Sequence, residues 1–255
     1  MATYKKRGYK PKTKKEKEVV VEEHSTTADV FNTLDEGASK TEEWFVKNQK
    51  YIVGVIAAIA IMVLGYMGYN KFIAEPHQKE AMNDMYQART YFEEAANGIS
   101  SDSLYSMALN GGNGKFGMVD IAKEYSGTPA GNLANYYAGI SYLNLKDYEK
   151  AISHLQEFTS DASIPDPIVK GAIGDAFVQL EQYKDGLDYY EKAFKANVND
   201  YTTPMFLMKA ALIAIRLGDN QKALDYLKRI DNEFDSSTEA AQVDVLIGMV
   251  EAKMQ

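Results

Sequence analysis

From Tyr51 to Asn70 the chain runs YIVGVIAAIAIMVLGYMGYN, twenty residues without a charge, with Lys47 and Lys50 before it and Lys71 after it. At a rise of about 1.5 Å per residue, a helix of that length covers roughly 30 Å, the thickness of a bilayer's hydrocarbon core. A core helix of a globular domain would show polar positions along one side, and a cleavable signal would start nearer Met1 with a shorter apolar stretch. The segment is therefore predicted to cross a membrane once. Tyr51, Tyr66, Tyr69 and Phe72 near its ends, with Trp44 and Phe45 just before it, fit the aromatic belts of the two interfaces. Gly54 and Ala58 form one small-xxx-small pair that would let a second helix approach closely.

Orientation follows from the basic residues. Close to the span the two sides tie, with Lys40, Lys47 and Lys50 against Lys71, Lys79 and Arg89. Farther out, Lys5, Lys6, Arg7, Lys10, Lys12, Lys14, Lys15 and Lys17 are opposed only by Glu16. Short basic segments resist translocation while a long domain can follow a span across, so residues 1–50 are expected in the cytoplasm and the body outside it. The same basic cluster can also contact anionic lipid or the ribosome. Phe31, Leu34, Ala38, Thr41 and Phe45 recur at helical spacing and predict a short amphipathic helix on the cytoplasmic membrane surface.

The overall charge of −8 divides unevenly, +2 over residues 1–50 and −10 over residues 51–255. An acidic body has no electrostatic reason to bind nucleic acid. Cysteine is absent, and His24, His77 and His154 stand apart, without the short spacings of a metal site, so no metal or cofactor is expected and the histidines are assigned to the surface. The run Asn110-Gly111-Gly112-Asn113-Gly114-Lys115 superficially resembles a phosphate-binding loop. Such a loop follows a strand and ends in Lys then Ser or Thr, whereas Phe116 follows here and nothing upstream reads as a strand. No convergent set of acid, base and nucleophile emerges elsewhere, so neither an enzyme nor a small-molecule substrate is expected.

The body repeats. AGISYLNLKDYEKAISHL from Ala138, IGDAFVQLEQYKDGLDYY from Ile173 and AALIAIRLGDNQKALDYL from Ala210 align on small residues Gly139, Gly174 and Ala211, with Gly248 in a last fragment, at intervals of 35, 37 and 37. Twelve positions later come Ala151, Gly186 and Ala223, and four beyond those Leu155, Tyr190 and Leu227. Small residues at these places let two helices close together and large ones lock them. Asp147, Asp185 and Gly218-Asp219 are expected at the turns between paired helices, and Pro129, Pro167 and Pro204 at the starts of first helices. Upstream, Ala81, Met85, Ala88, Phe92 and Ala95 predict an amphipathic helix after Pro76, and residues 116–125 another before Gly127.

This pattern resembles the tetratricopeptide repeat, from Asn132 onward, although the family's usual early Trp is missing from each copy. The implied fold is all-α: a charged tail with its amphipathic helix (1–50), one transmembrane helix (51–70), linker helices (71–131), and a tetratricopeptide solenoid with a C-terminal capping helix (132–255). In such repeats the second, fifth, ninth and twelfth positions of each first helix line a concave surface. By this resemblance they are Leu133, Tyr136, Ile140 and Leu143; Ile168, Gly171, Asp175 and Val178; Met205, Met208, Leu212 and Ile215; and Val245 and Met249. A groove that clamps a terminal carboxylate would present Lys, Arg and Asn at these positions. This nearly apolar set favours an apolar helix or strand, or else the chain's own upstream helices packed into the curve.

The phrases AKEYSGTPAGNLANYYAGISYL and LKDYEKAISHLQEF, set in this layout of tail, span and repeats, resemble the YfgM-type ancillary subunits of the bacterial Sec translocon, most specifically between Ile121 and Phe158. The resemblance implies an inner-membrane protein with its C-terminal domain in the periplasm. Its implied partners are the SecYEG channel and a membrane-anchored periplasmic chaperone of the prolyl-isomerase class. The tail here is longer than in that family, which leaves its cytoplasmic contacts unassigned. A tetratricopeptide scaffold of another envelope assembly, in cell division or outer-membrane export, is the alternative.

Overall fold

The computed structural model describes residues 26–98, 102–159 and 165–255, with side chains from Trp44 onward. The basic cluster of residues 5–17 and His24 lie outside the described residues, as do the side chains of Phe31, Leu34, Ala38 and Thr41. The described elements are helical throughout, and the chain divides after Tyr69 into two compact units.

In the first unit, one helix, α1 (Thr26–Tyr69), carries the predicted span. The short helix expected around residues 31–45 is part of this same element. Among the described residues, one helix is long and apolar enough to cross a membrane; its most apolar window has a mean hydropathy of 2.2 and none of it is buried. Val53, Ile56, Ile59, Ile61 and Leu64 are each between 51% and 70% exposed. In water such a surface would lose roughly 25 cal/mol for every Å² of apolar area left uncovered. A hydrocarbon environment removes that penalty, and a helix satisfies its own backbone there.

The second unit opens with a π-helical segment (Asn70–Ala74) and continues through α2 (Glu75–Ala96), α3 (Asp102–Asn110) and α4 (Met118–Glu124). α2 buries Ala81, Met85, Ala88 and Ala95 on one face, as its sequence predicts, whereas Phe92 is only half-buried against Tyr105 and Tyr137 and Tyr91 is buried beside it. The short α3, which buries Tyr105, Ala108 and Leu109, has no counterpart among the periodic segments of the sequence. The glycine-rich run after it is a structural turn. A β-carbon on Gly111 would stand 2.0 Å from the Lys115 carbonyl oxygen, one on Gly117 2.1 Å from that of Leu109, and Asn113 donates to the Tyr91 hydroxyl.

Three antiparallel helix pairs follow: α5 (Pro129–Asn144) with α6 (Tyr148–Glu157), α7 (Pro165–Gln179) with α8 (Tyr183–Ala196), and α9 (Thr202–Leu217) with α10 (Asn220–Glu233). A 3-10 turn (Glu239–Gln242) leads to α11 (Val243–Ala252), which packs on α10 with Val243 and Val250 buried. Pro129, Pro167 and Pro204 all fall in first turns, where a missing N–H costs nothing. A β-carbon on Gly139 would stand 2.5 Å from Leu155 Cγ, and one on Gly174 2.7 Å from the Tyr190 ring, so the small residues admit the large ones as their spacing predicts.

Each pair turns through the same device. Lys146, Glu181 and Gly218, aligned at the repeat period, all have positive φ (64°, 60° and 78°). The N–H of the next residue reaches back across the turn, Asp147 to Tyr142, Gln182 to Phe177 and Asp219 to Ala214, as in a Schellman motif. Asp147 and Asp219 then accept from Lys150 N and Lys222 N as N-caps. The expected role of Asp185 is corrected here: it lies inside the first turn of α8, and Gln182 takes the cap position without a side-chain bond.

Candidate protein-binding groove

The predicted lining residues lie on the first helices α5, α7 and α9 and on α11. None of the twelve apolar candidates belongs to the buried core. Leu133, Tyr136, Ile140, Leu143, Ile168, Val178, Met205, Met208 and Ile215 are half-buried, whereas Leu212 (47%), Met249 (41%) and Val245 (76%) are exposed. Half-burial has a local cause. Tyr136, Ile140 and Leu143 lean on the core formed by Ile152, Leu155, Val169 and Ile173, while Val178, Met205, Met208 and Ile215 lean on the core around Phe206, Leu207 and Leu227. The remainder of each side chain is left uncovered.

Do the upstream helices fill this surface? α2, α3 and α4 pack on α5. Ala81, Met85, Leu109, Met118 and Ile121 bury the alanine stripe Ala130, Ala134 and Ala138, with Leu133 and Tyr137 at the margin of that core. The exposed residues Leu212, Val245 and Met249 belong to α9 and α11, at the other end of the repeats.

Two mapped positions behave differently from the rest. Gly171 holds no open surface: a β-carbon there would lie 1.9 Å from Phe206 Cε1, so glycine is what lets the Phe206 ring seat between α7 and α9. Asp175 is paired. Lys209 of α9 donates to Asp175 Oδ1 and Oδ2 at 2.7 and 2.8 Å, and the Tyr190 hydroxyl donates to Oδ1 at 2.6 Å. Burial first, and then the adjacent Asp175 carboxylate, raise the Tyr190 pKa far above its ordinary value, so this phenol stays a donor. Lys209 is not at one of the four lining positions of the repeat, and no short-range pattern in the sequence marks it.

The second helices form a charged seam. Glu191 accepts from Lys195 at 2.7 Å and from Tyr226 at 2.7 Å, and pairs with Lys222 at 2.6 Å. Burial alone would raise its pKa, but those three donors outweigh it and hold the carboxyl at about 2. His154, assigned to the surface from sequence, is half-buried: it lies 2.8 Å through Nδ1 from Asn135 Oδ1 and stacks on Tyr142, and burial lowers its pKa. His77 is exposed and lies beside the Tyr125 ring.

Models of the tetratricopeptide repeat match residues 133–162 and 172–237, the first covering α5 and α6 and the second reaching from α7 through α10. No curated protein matches the chain. The chain carries tetratricopeptide repeats, helix pairs that serve as scaffolds for contacts between proteins.

Proposed function

We propose that the chain is a membrane-anchored tetratricopeptide scaffold, an ancillary subunit of the Sec translocation channel that links the channel to a membrane-anchored periplasmic chaperone of the prolyl-isomerase class. The observation that carries the scaffold reading is the apolar row from Met205 to Met249, which stays half-buried or exposed although every residue in it is apolar enough to be core. Apolar side chains left uncovered in this way mark an interaction site. Methionines at Met205, Met208 and Met249 supply side chains that adapt to an incoming surface. The span tethers the repeats at a membrane, and the basic tail favours the cytoplasm for residues 1–50 and the periplasm of a bacterial inner membrane for the repeats. The identity of the partners rests on the resemblance of residues 121–158 to the YfgM-type subunits.

The test is purification of the tagged full chain from native membranes in mild detergent, with the channel and the chaperone detected by antibody. Both are expected to copurify, and Leu212→Asp is expected to release at least one of them. Copurification of a cell-division or outer-membrane export complex, with the Sec components absent, would replace this partner assignment. Addition of a protease to cells with an opened outer envelope should digest the repeats and spare residues 1–50; the opposite pattern would reverse the orientation.

A further inference from the structure

Along the ninth position of the first helices run Ile140, Asp175, Leu212 and Met249, so one layer of an apolar row carries a carboxylate. Its partner Lys209 comes from the next first helix, and both side chains are about a third exposed (37% and 36%). The pair is held in place from below. The Lys209 ammonium lies 5.7 Å from the Tyr190 ring centroid and 5.8 Å from that of Phe206, and those two rings stack on each other. Two of the three ammonium hydrogens are engaged by Asp175, and Asp175 Oδ2 accepts a single bond. What the pair leaves exposed at the ninth position of α7 is therefore one donor and one acceptor side by side, with no net charge.

We infer that the Asp175–Lys209 pair is the polar recognition point of the groove and selects a partner helix that lays one carboxamide side chain, Asn or Gln, over it within an otherwise apolar face. The inference rests on the groove reading proposed above. A carboxamide carries an acceptor and a donor on separate atoms, so its oxygen can accept from Lys209 while its nitrogen donates to Asp175 Oδ2. An apolar side chain at that point would strip water from both members of the pair and return nothing. A carboxylate or an ammonium would satisfy one member and repel the other. With Val178, Met208 and Leu212 as apolar neighbours, a single polar match also fixes the register of the bound helix, as a lone polar residue does in a coiled coil.

The probes are synthetic amphipathic peptides of equal length with leucine at every groove-facing position, differing only in Gln, Leu or Glu at the central one. Their binding to the full chain in lipid nanodiscs is read by fluorescence anisotropy. The Gln peptide should bind at least about tenfold more tightly than the Leu peptide, since each of its two hydrogen bonds is made to a charged group. In the double variant Asp175→Leu/Lys209→Met, an apolar replacement of the pair, the preference should invert. Asp175→Asn, nearly isosteric, leaves the Lys209 charge unmatched and should turn the preference to the Glu peptide. Equal affinities in the unaltered chain, or a Gln preference that survives the double variant, would reduce the pair to a staple between repeats and overturn the inference. Failure of all three peptides to bind would overturn the groove reading itself. So would their displacement by self-association of the chain through this face, which would make the occupant a second copy.

Discussion

The carbonyl oxygen of Ala151 lies 3.2 Å from where a β-carbon on Gly139 would stand, and Leu155 Cγ lies closer still at 2.5 Å. The equivalent position in the last helix, Gly248, has nothing within 4 Å. The same substitution should therefore act in opposite directions at the two ends of the repeats. Gly139→Ala gains helix propensity but drives a methyl into the fully buried Leu155, for a net loss of about 1–2 kcal/mol. Gly248→Ala gains the propensity alone, about 1 kcal/mol. Thermal midpoints followed by circular dichroism should fall for the first and rise for the second; movement in the same direction would break the repeat alignment.

Glu181 occupies the left-handed conformation that Gly218 fills in the next repeat. A β-carbon there costs about 1–2 kcal/mol, offset in part by the extra freedom glycine has when unfolded. Glu181→Gly should raise stability by about 0.5–1 kcal/mol, read as a higher denaturant midpoint with an unchanged slope. A lower midpoint would mean that the glutamate side chain holds the turn.

The features legible in the sequence are those set by spacing along one element. The uncharged run from Tyr51 and the small residues at the repeat period are one-dimensional patterns: the run lies in α1 as far as Tyr69, and Gly139 and Gly174 admit Leu155 and Tyr190 across their helix pairs. The aligned position of Gln182 was harder to see because neither Glu181 nor Gln182 is a typical turn residue; Asp185, three residues on, looked the better cap. α3 is nine residues long and half polar, too short for a period to declare itself. Lys209 was invisible because its partner stands 34 residues away on another helix and its own register is not that of the lining residues. The half-burial of His154 likewise depends on Asn135 and Tyr142 of the preceding helix.

Glu191 predicts a pH dependence. Its folded pKa, about 2, lies below the value of about 4.3 expected for an unfolded glutamate. A depressed carboxylate contributes stability that is fully present above the unfolded value and is lost as pH falls toward the folded one. Stability should therefore decline between about pH 4.5 and about pH 2, and Glu191→Gln should flatten that limb while lowering the plateau near neutral pH. Solvent reaches this partly exposed side chain, so high salt should shrink the difference. An acid limb identical in the variant would assign the loss to other carboxylates.

Leu207 and Leu212 stand five residues apart on α9 and separate core from groove. Leu207 is fully buried among Phe206, Ala211 and Leu227, while Leu212 is 47% exposed. A carboxylate at Leu207 must be desolvated without a countercharge, which costs several kcal/mol and should unfold the repeats. A carboxylate at Leu212 keeps its water in the free chain, so Leu212→Asp should change stability by no more than about 0.5 kcal/mol. Once a partner covers Leu212, that water has to leave, and the cost appears in binding. The expected signature is an unchanged thermal midpoint together with loss of copurifying partners. Met208, half-buried against the same core, should fall between the two, with both midpoint and partner retention reduced by Met208→Asp. If Leu212→Asp unfolds the chain as Leu207→Asp does, the row belongs to the core. If it leaves both folding and every partner intact, association falls to the membrane helix, where Gly54 and Ala58 would admit a second helix.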